Sequence, residues 1–207
     1  MTDAVRRRAN GSVTVVEVGH PSVVEHLRAL RDLEAGRAPF RHHLHAVTRA
    51  LVHEALRPGG GLPTSGERAP VLVPVLRAGL GMLEGALDVV STAAVGFMGL
   101  RRDERTLEAE CYLVQVPALL SGRIALVLDP MVATGGSLGQ VCTTLRERGA
   151  AATCAVAAVV APEAVERLAR DRVEVAIVCA AVDDCLDANG WIVPGLGDAG
   201  DRLYGQR

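Results

Sequence analysis

A chain of 207 residues, 49% hydrophobic and 22% charged, has the composition of an ordinary globular protein with length for one domain and a substantial core. Its formal net charge of -2 supplies no global field toward nucleic acid or an anionic membrane. All 22 basic residues are arginine, which excludes a Walker A lysine and Schiff-base catalysis but leaves bidentate phosphate binding available.

The first residues are polar, and the Arg6-Arg7-Arg8 cluster reads as part of a solvated, flexible tail over residues 1–12. Val13–Val18 is β-branched and predicts a strand. Ser22 to Leu33 has apolar residues at helical spacing, with Ser22 as the expected N-cap and Glu25 three positions on. Pro39 is expected to open a second helix running to about Arg57, and 58–70 is Gly/Pro loop chemistry. Val71–Leu76, Ala93–Gly99, Tyr112–Val116, Ile124–Leu128, Ala155–Val160 and Val173–Ala180 are further expected strands. Helices are expected at about Leu80–Val89, Gly136–Arg148 and Pro162–Arg170, and a Gly-rich tail from Asp183 onward. Apolar strands alternating with amphipathic helices indicate an α/β fold with a mainly parallel sheet covered on both faces. Ligands in such folds bind beyond the carboxyl ends of the strands.

The five cysteines show no C-x-x-C pair or zinc spacing, and they read as free thiols in a reducing, cytoplasmic protein. The N-terminus has no apolar signal segment, and no stretch approaches the roughly 18 apolar residues of a membrane span. His42, His43, His45 and His53 crowd one predicted helix, but no carboxylate or cysteine completes a metal set, so they read as helix surface.

Three segments carry chemistry. The first is the buried strand Ile124–Leu128 followed by Asp129-Pro130-Met131-Val132-Ala133-Thr134-Gly135-Gly136-Ser137 and a helix. Glycines let the backbone approach an anion, and the helix N-terminus offers N–H groups and a favourable dipole, so this loop suits a phosphate monoester. Asp129 would lie near ribose hydroxyls; the plainer reading is a turn with a capping hydroxyl. The second segment, Leu76-Arg77-Ala78-Gly79-Leu80-Gly81-Met82, brings one arginine out at a strand end, suited to a diphosphate or to a surface charge. Gly79, Gly81 and Gly85 also form a loose dinucleotide fingerprint with Arg101-Arg102 as a 2′-phosphate site, although the spacing is one residue off. The third, Trp191 to Asp201, exposes bare backbone that can read a small heterocycle, or it docks on the core with Trp191 as anchor.

Together the three motifs, with His20-Pro21, Leu30-Arg31-Asp32, Phe40-Arg41 and Arg102-Asp103-Glu104 with Thr106, resemble the uracil phosphoribosyltransferase family in order and spacing over most of the chain. The resemblance implies a single domain with the type I phosphoribosyltransferase fold, a C-terminal base-binding loop, and the conversion of uracil and phosphoribosyl diphosphate to UMP and diphosphate in pyrimidine salvage. It implies that Asp129 to Ser137 hold the 5′-phosphate and ribose. Arg77 and Arg102 would hold diphosphate, and the backbone of Ile192, Gly197, Asp198 and Ala199 the uracil. Asp198 would face magnesium carried on the substrate diphosphate, through water. With Arg77 and Arg102 it completes the catalytic set. The implied assembly is a homodimer without nucleic-acid or membrane partners.

The sequence departs from the family pattern in several places. The stretch from Glu54 to Val71 is short where the family has a hairpin arm. Arg101 and Trp191 stand where tyrosine is usual, and Ala109-Glu110-Cys111 replaces a proline-containing stretch. Two alternatives stand beside the leading reading: a protein of this fold acting on another base or sensing nucleotides, and, more remotely, an NADP-binding oxidoreductase. The acidic pair Asp183-Asp184 fits either a site contact or a solvated loop.

Overall fold

The apolar runs assemble into one sheet. The computed structural model describes residues 5–57, 69–102, 109–117, 120 and 122–205. The strands in chain order are β1 (Val5–Asn10), β2 (Val13–Val18), β3 (Val71–Leu76), β4 (Ala94–Val95), β5 (Phe97–Arg102), β6 (Ala109–Gln115), β7 (Ile124–Leu128), β8 (Met131–Val132), β9 (Ala152–Val160) and β10 (Val175–Val182). Their order across the sheet is β1-β2-β10-β9-β7-β3-β5-β6, with β4 beside β3 and β8 beside β9. Pairing is parallel except for β1 on β2 and β6 on β5, the two outermost pairs. The expected α/β architecture is therefore present.

Helices cover both faces: α1 (Pro21–Arg31), α2 (Arg37–Leu56), α3 (Leu83–Leu87), α4 (Gly136–Glu147), α5 (Pro162–Arg170) and α6 (Ala199–Tyr204). Alternation along β7 feeds two apolar layers. Leu126 and Leu128 pack with α1, α2 and α6 residues, while Ala125 and Val127 face those of α4 and α5. In α2 the stripe Phe40, Leu44, Val47, Leu51, Val52 and Ala55 lies fully buried at helical spacing. Thr48, also buried there, donates its hydroxyl to the Leu44 carbonyl at 2.7 Å.

Several expected boundaries move, each for a physical reason. Val5–Asn10 is not a tail; it pairs antiparallel with β2 over six residues and forms a charged outer edge, an arrangement that discourages further strand addition. His20, not Ser22, caps α1: its Nδ1 accepts the Ser22 N–H at 3.3 Å, and Pro21 takes the first helical position. The segment expected as one helix over Leu80–Val89 divides into a 3-10 turn, Ala78–Met82, and the short α3. Ala93–Gly99 divides at Gly96, where a Cβ would lie 2.7 Å from Val116 Cγ1. The tail after Asp183 holds a small antiparallel pair, β11 (Cys185–Leu186) with β12 (Ile192–Val193), and then α6. Of the short 58–70 loop, residues 58–68 lie outside the described residues.

Phe40 joins α1, α2 and α6, with the Arg202 guanidinium 4.1 Å from its ring centre. Phe40→Ala is expected to cost about 3–5 kcal/mol of stability in urea unfolding. A loss below about 1 kcal/mol would contradict this packing account.

Candidate active site

Parallel pairing brings the ends of β3, β7, β9 and β10 to one side of the molecule, and all three chemistry-bearing segments follow those ends. The turn after β3 begins at Arg77, across a cis Leu76–Arg77 peptide. Gly79 then crosses the end of β7 so closely that a Cβ would stand 2.1 Å from the Leu128 carbonyl oxygen. Glycine is a steric requirement at this position. The turn points Arg77 toward α6: its Nη2 lies 3.9 Å from where a Cβ on Gly200 would be.

The loop after β7 is pinned from beneath by β9, since the Pro130 carbonyl accepts the N–H groups of Ala158 and Val159 at 3.0 and 3.1 Å. Gly135 adopts a left-handed φ of 77° and caps α4 without any side-chain hydrogen bond. The capping hydroxyl of the plainer sequence reading is therefore absent. Asp129, Met131, Val132, Ala133, Thr134, Gly135 and Ser137 line a cavity of about 150 Å³. Gly136 lies outside that lining, beside Arg167, whose Nη1 would be 3.1 Å from an added Cβ.

A second cavity of about 340 Å³ adjoins the first and shares Asp129, Met131 and Ala133 with it. Ala78 and Pro130 line it on one side, and Ile192, Gly197, Asp198 and Ala199 on the other. Sequence reasoning missed two of its residues, Asn189 and Gly190, which lie just before the Trp191–Asp201 segment. Asn189-Gly190 is a turn dipeptide between apolar runs, a signal that could have placed them at the tip between β11 and β12. Asp187 organises that tip: its Oδ1 accepts the Asn189 and Trp191 N–H groups at 2.8 and 2.9 Å. The bond from Trp191 is the main reason its carboxyl titrates below the usual range. Trp191 lines the cavity at 45% exposure, so it is not the core anchor; Ile192, Leu196 and Leu203 are buried instead. Asp198 Oδ1 accepts the Asp201 N–H at 2.9 Å, which caps α6 and fixes the carboxylate at the rim. Arg102 ends β5, and its side chain lies outside the described residues, as do Asp103, Glu104 and Thr106.

The dinucleotide reading fails on packing. A Cβ on Gly81 would meet Leu203 Cδ1 at 2.7 Å, and one on Gly85 the His45 carbonyl at 2.7 Å. These glycines admit neighbouring structure rather than a pyrophosphate. Arg101 Nε lies 2.8 Å from Glu110 Oε2 across the β5–β6 hairpin. Of the clustered histidines, His43 shares a 2.9 Å Nδ1–Nδ1 hydrogen bond with His26 on α1. Among the described residues no group of three or more His, Cys, Asp or Glu could hold a metal ion.

The family model described as uracil phosphoribosyltransferase matches residues 17–206. The chain belongs to the uracil phosphoribosyltransferase family. It is 46% identical to the uracil phosphoribosyltransferase of Kineococcus radiotolerans over 204 residues, covering 91% of this chain and 97% of that one. Against the enzyme of that name from Streptomyces griseus the identity is 45%, with 91% and 96% covered. Among solved structures, the AQ2163 protein of Aquifex aeolicus superposes with a TM-score of 0.83 at 37% identity, over 92% of this chain and 97% of that one. The sheet and its flanking helices are the type I phosphoribosyltransferase fold expected from the resemblance. The shared wall of Asp129, Met131 and Ala133 lies between the loop after β7 and the loop after β12.

Burial raises the Asp129 carboxyl to about 7, against the opposing effect of the Met131 N–H at 3.4 Å. A raised folded-state pKa favours the folded protein below about 3.8, and that contribution is lost as pH rises through about 7. Stability of the ligand-free protein should fall across this window. Asp129→Asn should remove the fall, a difference on the order of 1–3 kcal/mol at pH 8. Unfolding midpoints at pH 5 and 8 check this, and parallel pH dependence in both proteins would contradict it.

Proposed function

We propose that the chain transfers the 5-phosphoribosyl group from phosphoribosyl diphosphate to uracil, giving UMP and diphosphate, a pyrimidine salvage reaction. The observation that carries this reading is the pair of adjoining cavities sharing Asp129, Met131 and Ala133, one at the end of a helix and one lined by bare backbone. A ribose lying over the shared wall would direct its 5′-phosphate to Thr134–Ser137 and its anomeric carbon toward the base loop. Family membership supports uracil over another base.

In the reaction the bond from the anomeric carbon to the diphosphate oxygen breaks. The bond to uracil N1 forms, and the N1 proton is released. The transition state is oxocarbenium-like, so catalysis reduces to holding the reactants in line and neutralising the leaving diphosphate. Arg77 and Arg102 serve the second task. Asp129 accepts from the ribose hydroxyls, and ionising against the raised pKa is offset by those two hydrogen bonds. The backbone of Ile192 and Gly197–Ala199 reads the edge of the base.

Magnesium fits the oxygen donors present: Asp198, held at the rim, and Asp129 can meet it through water while substrate diphosphate carries it. When bound, it supplies charge neutralisation of the diphosphate. We extend the reading to one domain, a homodimer and a cytoplasmic location. One sheet shared by both apolar layers supports the first, and five free cysteines suit the last. No helix among the described residues is long and apolar enough to cross a membrane.

Diphosphate release, followed with phosphoribosyl diphosphate, magnesium and a panel of bases, tests the reaction. Uracil should be the preferred acceptor; turnover with another base alone would overturn the assignment. Asp129→Asn should lower kcat/KM for the donor about 100-fold, as expected from losing two charge-assisted hydrogen bonds. Activity within threefold of wild type would refute the ribose contact.

A further inference from the structure

Arg31 and Asp183 stand 152 residues apart, at the end of α1 and just beyond β10, yet they meet as a two-pronged pair. Arg31 Nη2 donates to Asp183 Oδ1 at 2.6 Å and Nη1 to Oδ2 at 3.0 Å. The carboxylate is buried, at 6% residue exposure. Neither residue lines the cavities of the candidate site. What the pair grips is the base loop. Asp183 Oδ2 also accepts the Gly195 N–H at 2.9 Å, and Arg31 Nη1 also donates to the Gly195 carbonyl at 3.0 Å. Both backbone polar groups of one residue are thus held by one ion pair.

Gly195 is the point where that loop turns back. Its φ is 62°, and a Cβ there would stand 2.2 Å from the Ile192 carbonyl oxygen. It separates Ile192 from Gly197–Ala199, the two backbone stretches assigned to the base. The phosphate loop hangs from β9 through the Pro130 carbonyl and makes no use of this pair.

We propose that Arg31 and Asp183 are positioning residues for the base. They set the placement of Ile192 and Gly197–Ala199 against the phosphate loop, and so govern affinity for the heterocycle without touching base or donor. The inference rests on the reading that this backbone binds uracil. A planar bidentate arginine is suited to the task because it fixes direction as well as distance. A buried carboxylate with three donors also leaves the turn few other positions.

The test uses Asp183→Asn and Arg31→Lys in the full chain, with two readouts. Steady-state kinetics should show KM for uracil raised about tenfold or more, while KM for phosphoribosyl diphosphate stays within about twofold. Arg31→Lys, which keeps a charge beside Asp183 but loses the planar fork, should show the same selectivity in milder form and serves if Asp183→Asn fails to fold. The second readout needs no catalysis. Trp191 is the only tryptophan in the chain and lies four residues before Gly195, so its fluorescence anisotropy should fall in both variants. Donor and base KM rising together, or unchanged base KM with unchanged anisotropy, would overturn the proposal. Failure of the functional reading would show instead in wild-type protein that releases no diphosphate with uracil, and that result would sink both.

Discussion

Two neighbouring parallel strands, β3 and β7, end side by side, and the turn after β3 passes directly over the last carbonyl of β7. Only a residue without Cβ can make that crossing. The crossing decides where everything else in the site can be. It brings the Arg77 turn onto the strand that leads into the Asp129–Ser137 loop. It also leaves Gly81 beneath Leu203 of α6, so the C-terminal helix packs down on the same turn. Three segments distant in sequence thereby share one rim, and none of them forms a site alone.

The site's electrostatics follow from what this chain lacks as much as from what it holds. Without lysine, its cationic contacts are arginines, each with planar donors and a fixed charge. The three buried thiols, Cys142, Cys154 and Cys179, are pushed far up by desolvation, with Cys142 and Cys154 at about 12, and so stay protonated. Asp129 is the titratable group set apart in the cleft. With its pKa raised to about 7, that carboxyl is about half protonated near neutrality, so the empty loop carries less negative charge than an ordinary carboxylate would give it.

Periodicity and turn chemistry made much of this legible. Ile124–Leu128 was readable as a buried strand to the residue. Alternation was less help at the edges. Arg6, Arg7 and Arg8 look like a tail because an edge strand with solvent on its outer side needs no apolar stripe, and its pairing with β2 leaves no local trace. Gly79 and Gly81 looked like a nucleotide fingerprint because close packing and close ligand approach both call for glycine. Trp191 looked like an anchor by size, whereas Ile192 and Leu196 take the buried positions. The contact between Arg31 and Asp183 was beyond reach, since nothing local distinguishes a surface arginine from one that closes a turn 164 residues later.

The central claim is one of geometry: a single ribose spans two adjoining cavities with its phosphate on the Thr134–Ser137 amides and its base on the C-terminal loop. A crystal structure of the protein with UMP tests it most directly. The account predicts phosphate oxygens within hydrogen-bond distance of the N–H groups of Thr134 to Ser137 and the uracil edge against the backbone of Ile192 and Gly197–Ala199. UMP bound elsewhere, such as the cleft at the opposite end of the sheet lined by Ser12, Arg146 and Thr153, would contradict it.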